Sequence, residues 1–125
     1  MKYFLLVILI FSLSCCCSQN KRLILGKEYA QEELKIALSK EQQHNVVDYK
    51  TIIIKDSVSA VKIAETILFD IYGKQKIEKQ KPYEIYFLDQ YWIISGTLPE
   101  GYIGGTFLII IDARNSNILK ITHGK

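Results

Sequence analysis

A chain of 125 residues, 49% hydrophobic and 23% charged, is long enough for one domain with a modest core and too short for two. Its 16 Lys+Arg against 13 Asp+Glu leave a formal charge of +3, too small and too evenly spread to argue for a nucleic-acid-binding surface. The three cysteines are contiguous, Cys15-Cys16-Cys17, which excludes a disulfide framework through the fold. Adjacent thiolates without a nearby histidine also make no tetrahedral zinc site.

The start of the chain has the pattern of an export signal. Met1-Lys2 is a short positive segment, and Tyr3 to Leu13 is an apolar run of about eleven residues, the length of a signal-peptide core and well short of the ~20 that a spanning helix needs. Ser12-Leu13-Ser14-Cys15 then resembles a bacterial lipobox, with a small residue before the cysteine. The expectation is a lipoprotein signal peptide over 1–14 and acylation at Cys15, with Cys16 as the alternative because Leu13 lies three residues before it. Residues 15–27 then form a lipidated tether, and 28–125 a single domain. Export places the protein in the bacterial cell envelope, lipid-anchored, on the periplasmic side. Removal of Lys2 with the signal leaves 15 basic against 13 acidic side chains, a balance of +2.

Leu23-Ile24-Leu25 is a short apolar patch in the tether, fit for a first strand or a strip docked on the domain. Residues 27–45 carry Tyr29, Ala30, Leu34, Ala37 and Leu38 at three- and four-residue spacing and predict a helix. Thr51 to Ile54 is a short β-branched run. Asp56-Ser57 caps a second predicted helix, Val58 to Tyr72, with Val61, Ala64, Leu68 and Ile71 as its buried stripe and Gly73 as its stop. Lys74 to Lys81 is highly charged and predicts a loop or a frayed extra turn.

From Pro82 the period becomes two. Tyr83 to Leu88 and Tyr91 to Thr97 predict two strands joined at Asp89-Gln90, a turn that lacks the usual glycine. In the register this suggests, Ile85 and Phe87 share a face that Tyr83 and Leu88 do not. A loop, Leu98 to Gly105, precedes a second hairpin, Thr106 to Ile111 and Ile118 to Thr122, with its turn over 112–117. Phe107 to Ile111 is apolar on both faces and predicts a central strand covered on both sides, by the second helix on one and by the first helix or a curved sheet's own side chains on the other. The fold class is α+β: N-terminal helices packed on a curved antiparallel sheet.

Catalytic chemistry is sparse. Nucleophilic catalysis needs a Cys or Ser, a histidine base and an orienting acid, yet the only histidines are His44, in a polar helix end, and His123, near the C-terminus; both fit solvated positions better. No metal-ligand pair and no cofactor motif stands out. Gly101 to Gly105 precedes a strand rather than a helix, so its glycines fit turn or bulge conformations better than a phosphate loop. Asp112, ending a core strand, fits a turn-starting acid. Tyr83, Tyr86, Tyr91, Trp92 and Tyr102 are more aromatics than one core face accommodates, and exposed tyrosines are frequent binding anchors.

Residues 60–125 resemble the NTF2 fold immunity protein domain of bacterial polymorphic toxin systems. The helix ending at Tyr72-Gly73, Lys81-Pro82-Tyr83, Tyr91-Trp92, Gly96-Thr97-Leu98-Pro99, Gly104-Gly105, Ile111-Asp112 and the close Ile118 to Lys125 carry the likeness, and Gln90 departs from it where glycine is expected. The resemblance implies a cone-like NTF2-like (cystatin-like) fold and neutralisation of a cognate toxin by binding and occlusion, without catalytic residues. Glu84, Tyr86, Asp89, Tyr91, Glu100 and Tyr102, polar or aromatic positions at turns and sheet faces, are the candidate contacts. The expected partners are the toxin and, through the N-terminal lipid, the membrane, and no oligomeric state is implied. Two other readings compete: an envelope ligand-binding or PepSY-like inhibitor domain, and an isomerase-type enzyme pairing Asp70, Asp89 or Asp112 with a tyrosine donor in an apolar cone.

Overall fold

The computed structural model describes residues 21–39 and 44–124, and the chain divides into two units, residues 1–42 and 43–125. The expected signal peptide, Cys15 and Cys16, and the predicted helical residues 40–43 lie outside the described residues. In the first unit, α1 spans Gly26–Leu38, shorter than predicted, and Ser39 closes it through bonds to the Lys35 and Ile36 carbonyls. None of its residues is buried. Leu23-Ile24-Leu25 forms no strand and is exposed.

The second unit is built on α2, Ser57–Tyr72. Asp56 caps it as predicted, accepting from the Ser59 N–H at 2.8 Å and the Ser59 hydroxyl at 3.1 Å. Gly73, at φ +90°, ends it in a conformation that favours glycine. The buried stripe is Ala60, Ala64 and Leu68, continued by half-buried Tyr72 four residues on. Ile71, expected in the core, is instead 54% exposed. Its place is filled from the charged segment expected to be a loop: Lys74–Glu78 is a short helix, α3, and Ile77 within it is wholly buried. One apolar residue in the right position is enough to seat a helical turn whose other side chains are polar.

Four strands follow, β1 (Glu84–Leu88), β2 (Tyr91–Ser95), β3 (Phe107–Asp112) and β4 (Ile118–His123), as an antiparallel meander in the order β1-β2-β3-β4. The β1–β2 turn forms without glycine. Asp89 at φ +49° and Gln90 at φ +70° both adopt the left-handed conformation of a two-residue hairpin turn, and the Ala113 N–H secures the Gln90 carbonyl at 3.0 Å. The β-branched run before α2 is not a strand. It is a strap across the end of the sheet, where the Ile53 and Ile54 N–H groups share the Ala113 carbonyl and the Trp92 indole donates to the Ile54 carbonyl at 2.9 Å.

Pairing fixes the faces. Trp92, Ile94, Phe107, Ile109 and Ile111 point to α2 and form the core with Ala60, Ala64, Leu68 and Ile77. Tyr83 shares this side with Ile85 and Phe87, contrary to the sequence-based register: its ring meets Phe107 edge-on at 5.1 Å, because residues 83, 85 and 87 alternate onto one face. Leu108 and Ile110 point the other way and are only half-buried. The central strand is therefore covered by helices on one side alone among the described residues of this unit.

Gln80, one of two buried polar residues among those described, locks the layers together. Its Oε1 accepts the Phe107 N–H at 2.8 Å, its Nε2 donates to the Lys76 carbonyl at 3.1 Å, and Nε2 lies 3.0 Å from His123 Nε2. A backbone N–H needs an acceptor, so the amide oxygen must face Phe107, and His123 Nε2 must accept from the amide nitrogen. His123 Nδ1 then donates to the Gly124 carbonyl at 2.9 Å, and the ring packs on Tyr72 at 5.1 Å. His123, expected in solvent, is a half-buried strut between Gln80 and Tyr72. Gly105 and Gly124 lie so close that a Cβ on Gly105 would run into the Gly124 backbone.

Candidate protein-binding face

The side of the sheet away from α2 carries three cross-strand rows set by the pairing: Glu84–Ser95–Leu108–Thr122, Tyr86–Ile93–Ile110–Lys120 and Leu88–Tyr91–Asp112. Tyr86 is 53% and Leu88 58% exposed, while Tyr91, Ile93, Leu108 and Ile110 are half-buried by their neighbours in the sheet. Apolar side chains at the centre with polar ones at the margin is the composition of a protein-binding patch.

Of the candidate contacts, Glu84, Tyr86 and Tyr91 lie together on this face. Asp89 stands at the adjoining turn in the left-handed conformation. Glu100 and Tyr102 belong to the loop between β2 and β3, where a turn closed by the Tyr102 N–H on the Pro99 carbonyl at 3.1 Å presents Tyr102 and the fully exposed Ile103 to solvent. Leu88, Ile93, Leu108 and Ile110 are not among the candidate contacts that the sequence suggests. The expectation that Phe107 to Ile111 is covered on both sides places Leu108 and Ile110 in the interior, whereas the structure leaves their face open.

One end of the face is held rigid. Asp112 is buried and accepts two bonds from the Arg114 guanidinium, Nε to Oδ1 at 2.9 Å and Nη2 to Oδ2 at 2.7 Å, with the Arg114 N–H on Oδ1 at 2.9 Å. Arg114 Nη2 also donates to the Tyr91 hydroxyl at 3.0 Å and covers its ring at 5.4 Å. The guanidinium bonds hold the Asp112 carboxyl below the usual carboxylate range, against the opposing effect of burial. Asp112 thus starts its turn as expected and also fixes Tyr91. Because its folded pKa is depressed, its stabilisation is present above the unfolded carboxylate value of about 3.9 and is lost as pH falls through the folded value. The urea midpoint of Asp112→Asn should therefore lie below that of the parent by a constant margin from pH 7 to about pH 5, and the margin should shrink toward pH 2. A margin that stays constant down to pH 2 would exclude this linkage.

The carboxylates considered for acid–base chemistry are arranged differently from such a site. Asp70 and Asp89 are exposed, and Asp112 is paired and held acidic. Among the described residues a carboxylate–tyrosine pair forms instead between Glu65 and Tyr83, at 3.0 Å, where Lys81 also binds Glu65 at 3.0 Å. Burial, then the bond to Glu65, raises the Tyr83 pKa. No group of three or more His, Cys, Asp or Glu among the described residues is placed to hold a metal, and none of their helices is long and apolar enough to cross a membrane.

An open four-stranded antiparallel meander backed by helices is consistent with the α+β fold of a known family. The profile of the NTF2 fold immunity proteins matches residues 59–125, and the chain belongs to that family, whose general role is immunity to toxins. The family suggests a non-enzymatic role. Over 74 residues the chain is 36% identical to Uncharacterized protein YhhH of Escherichia coli, covering 58% of each chain. Over 73 residues it is 34% identical to Uncharacterized protein YbbC of the same organism, covering 58% of this chain and 60% of that one. The match thus spans about three-fifths of these relatives' length. No solved structure matches.

Proposed function

We propose that this protein neutralises a cognate bacterial toxin by direct binding, with the open sheet face as the contact surface and occlusion of the toxin's active site or entry path as the mechanism. The observation that carries this reading is the face itself: Tyr86 and Leu88 exposed beside half-buried Tyr91, Ile93, Leu108 and Ile110, with no helix over them among the described residues of the unit. Apolar and aromatic area left open at the centre of a sheet is stabilised when a partner covers it. Glu84, Asp89, Glu100 and Tyr102 form the polar and aromatic margin. Acylation at Cys15 would hold the protein at the periplasmic side of the envelope, where it meets the toxin before or during entry.

Tagged protein recovered from cells that produce the toxin should carry it in a defined ratio, and toxin activity in vitro should fall in proportion to the fraction bound. A bound toxin with undiminished activity would overturn occlusion. Cys15→Ser should shift the protein from the membrane to the soluble fraction or leave the uncleaved precursor. Unchanged fractionation and mass would transfer the anchor to Cys16 or to an uncleaved signal.

A further inference from the structure

On the opposite layer from the open face, the corner between α2 and α3 concentrates positive charge. Residues 74–81 contain four lysines and a single acid, Glu78. The segment is seated from beneath by buried Ile77 and Gln80, so its lysines project outward. Tyr72, Gly73, Lys74, Gln75, Lys76 and Lys79 line one open groove of about 540 Å³.

Lys81 is paired with Glu65 at 3.0 Å, which leaves Lys74, Lys76 and Lys79 as the charges of the groove. Lys76 lies over the Tyr72 ring at 5.9 Å, and Lys79 forms no ion pair among the described residues. Lys74 reaches Glu78 only at 4.0 Å, with both side chains largely exposed (68% and 42%), a geometry worth little in water. Ile71 stands exposed on the adjoining turn. The groove has no arginine fork, and no buried donor among the described residues lacks a partner, so it has none of the fixed geometry that selects one small anion. Flexible ammonium groups around a tyrosine, with an exposed isoleucine preceding it in the chain, instead match an extended anionic plane with an apolar layer beneath it, the chemistry of a lipid headgroup region.

We infer that the α2–α3 corner, Ile71 to Lys79, is a docking surface for an anionic phospholipid bilayer. Because α2 and α3 lie on one side of the sheet, a domain resting on this corner turns the open face toward solvent. The inference stands independently of what that face binds.

The test is lysine footprinting of the full chain with an amine-reactive ester, on vesicles containing phosphatidylglycerol and on vesicles of phosphatidylcholine alone. Any insertion of the N-terminal apolar segment is common to both. Modification of Lys74, Lys76 and Lys79 should slow by about fivefold or more on the anionic vesicles, with Lys50 and Lys55 little changed, and the protection should disappear at about 1 M salt, where screening acts within ~3 Å. Ile71→Trp should shift its emission to the blue on the anionic vesicles alone. Equal protection on both vesicles would overturn the inference. So would protection by soluble poly-glutamate or inorganic phosphate without vesicles, which would assign the groove to an acidic protein segment or a free anion.

Discussion

Replacing Ile109 with aspartate should abolish cooperative folding of residues 43–125. Ile109 is wholly buried at the middle of β3, paired with Ile94 on one side and Ile121 on the other, with its side chain in the core against α2. An unpaired carboxylate there costs several kcal/mol, against a total stability of about 5–15 kcal/mol for a domain. The neighbours give the contrast. Leu108 and Ile110 carry the same kind of side chain on the same strand but face the open side, where an aspartate keeps its water. Ile110→Asp should therefore retain a cooperative urea or thermal transition, while Ile109→Asp shows none by circular dichroism. If both variants melt cooperatively, the sheet does not have the facing described here.

That contrast also marks how far the sequence was legible. Helix α2 and all four strands follow from local signals that tertiary packing reinforces: the Asp56 cap, the Gly73 stop, and alternation from Tyr83 onward. The failures occur where one position decides the outcome. The segment Lys74 to Lys81 looks like solvated loop because seven of its eight residues are polar, and only the packing of Ile77 beneath α2 makes it a helix. Ile71 has the composition of a core residue, but the stripe of α2 passes from Leu68 to Tyr72, which packs on His123 of β4, and Ile71 is left exposed. Gln80 and His123 show no pattern at all, since their partners are 27 and 43 residues apart in sequence from Gln80. The open sheet face was half visible. Its polar and aromatic positions stand out by residue type, whereas Leu108 and Ile110 are expected in the interior because apolar residues in an apolar strand give no sign of which face is left open.

If that face binds the toxin, affinity should depend most on the residues at its centre. Tyr86 is the cleanest probe: it is half exposed, lies in the row with Ile93 and Ile110, and makes no side-chain hydrogen bond within the described residues. Tyr86→Ala should weaken binding by about 2 kcal/mol, roughly thirtyfold, with the melting temperature nearly unchanged. Ile110→Asp, which places a charge in the middle of the same row, should weaken it at least as much while the domain stays folded. Charge reversal at Glu84, Asp89 or Glu100, and Tyr102→Ala in the projecting loop, act at the margin and should each have smaller effects, expressed mainly in the association rate and its salt dependence. Tyr91 needs separate treatment because Arg114 holds its hydroxyl and ring. Tyr91→Ala would also take from Arg114 both its hydroxyl acceptor and the ring beneath it, so Tyr91→Phe, which keeps the ring, isolates the hydroxyl. Protection of cells should fall in the same order as affinity, since under occlusion the bound fraction of toxin alone sets its inhibition. A variant such as Asp89→Asn that kept full affinity yet lost all protection would break that order. The protein would then be acting on the toxin or its target by chemistry rather than by covering it.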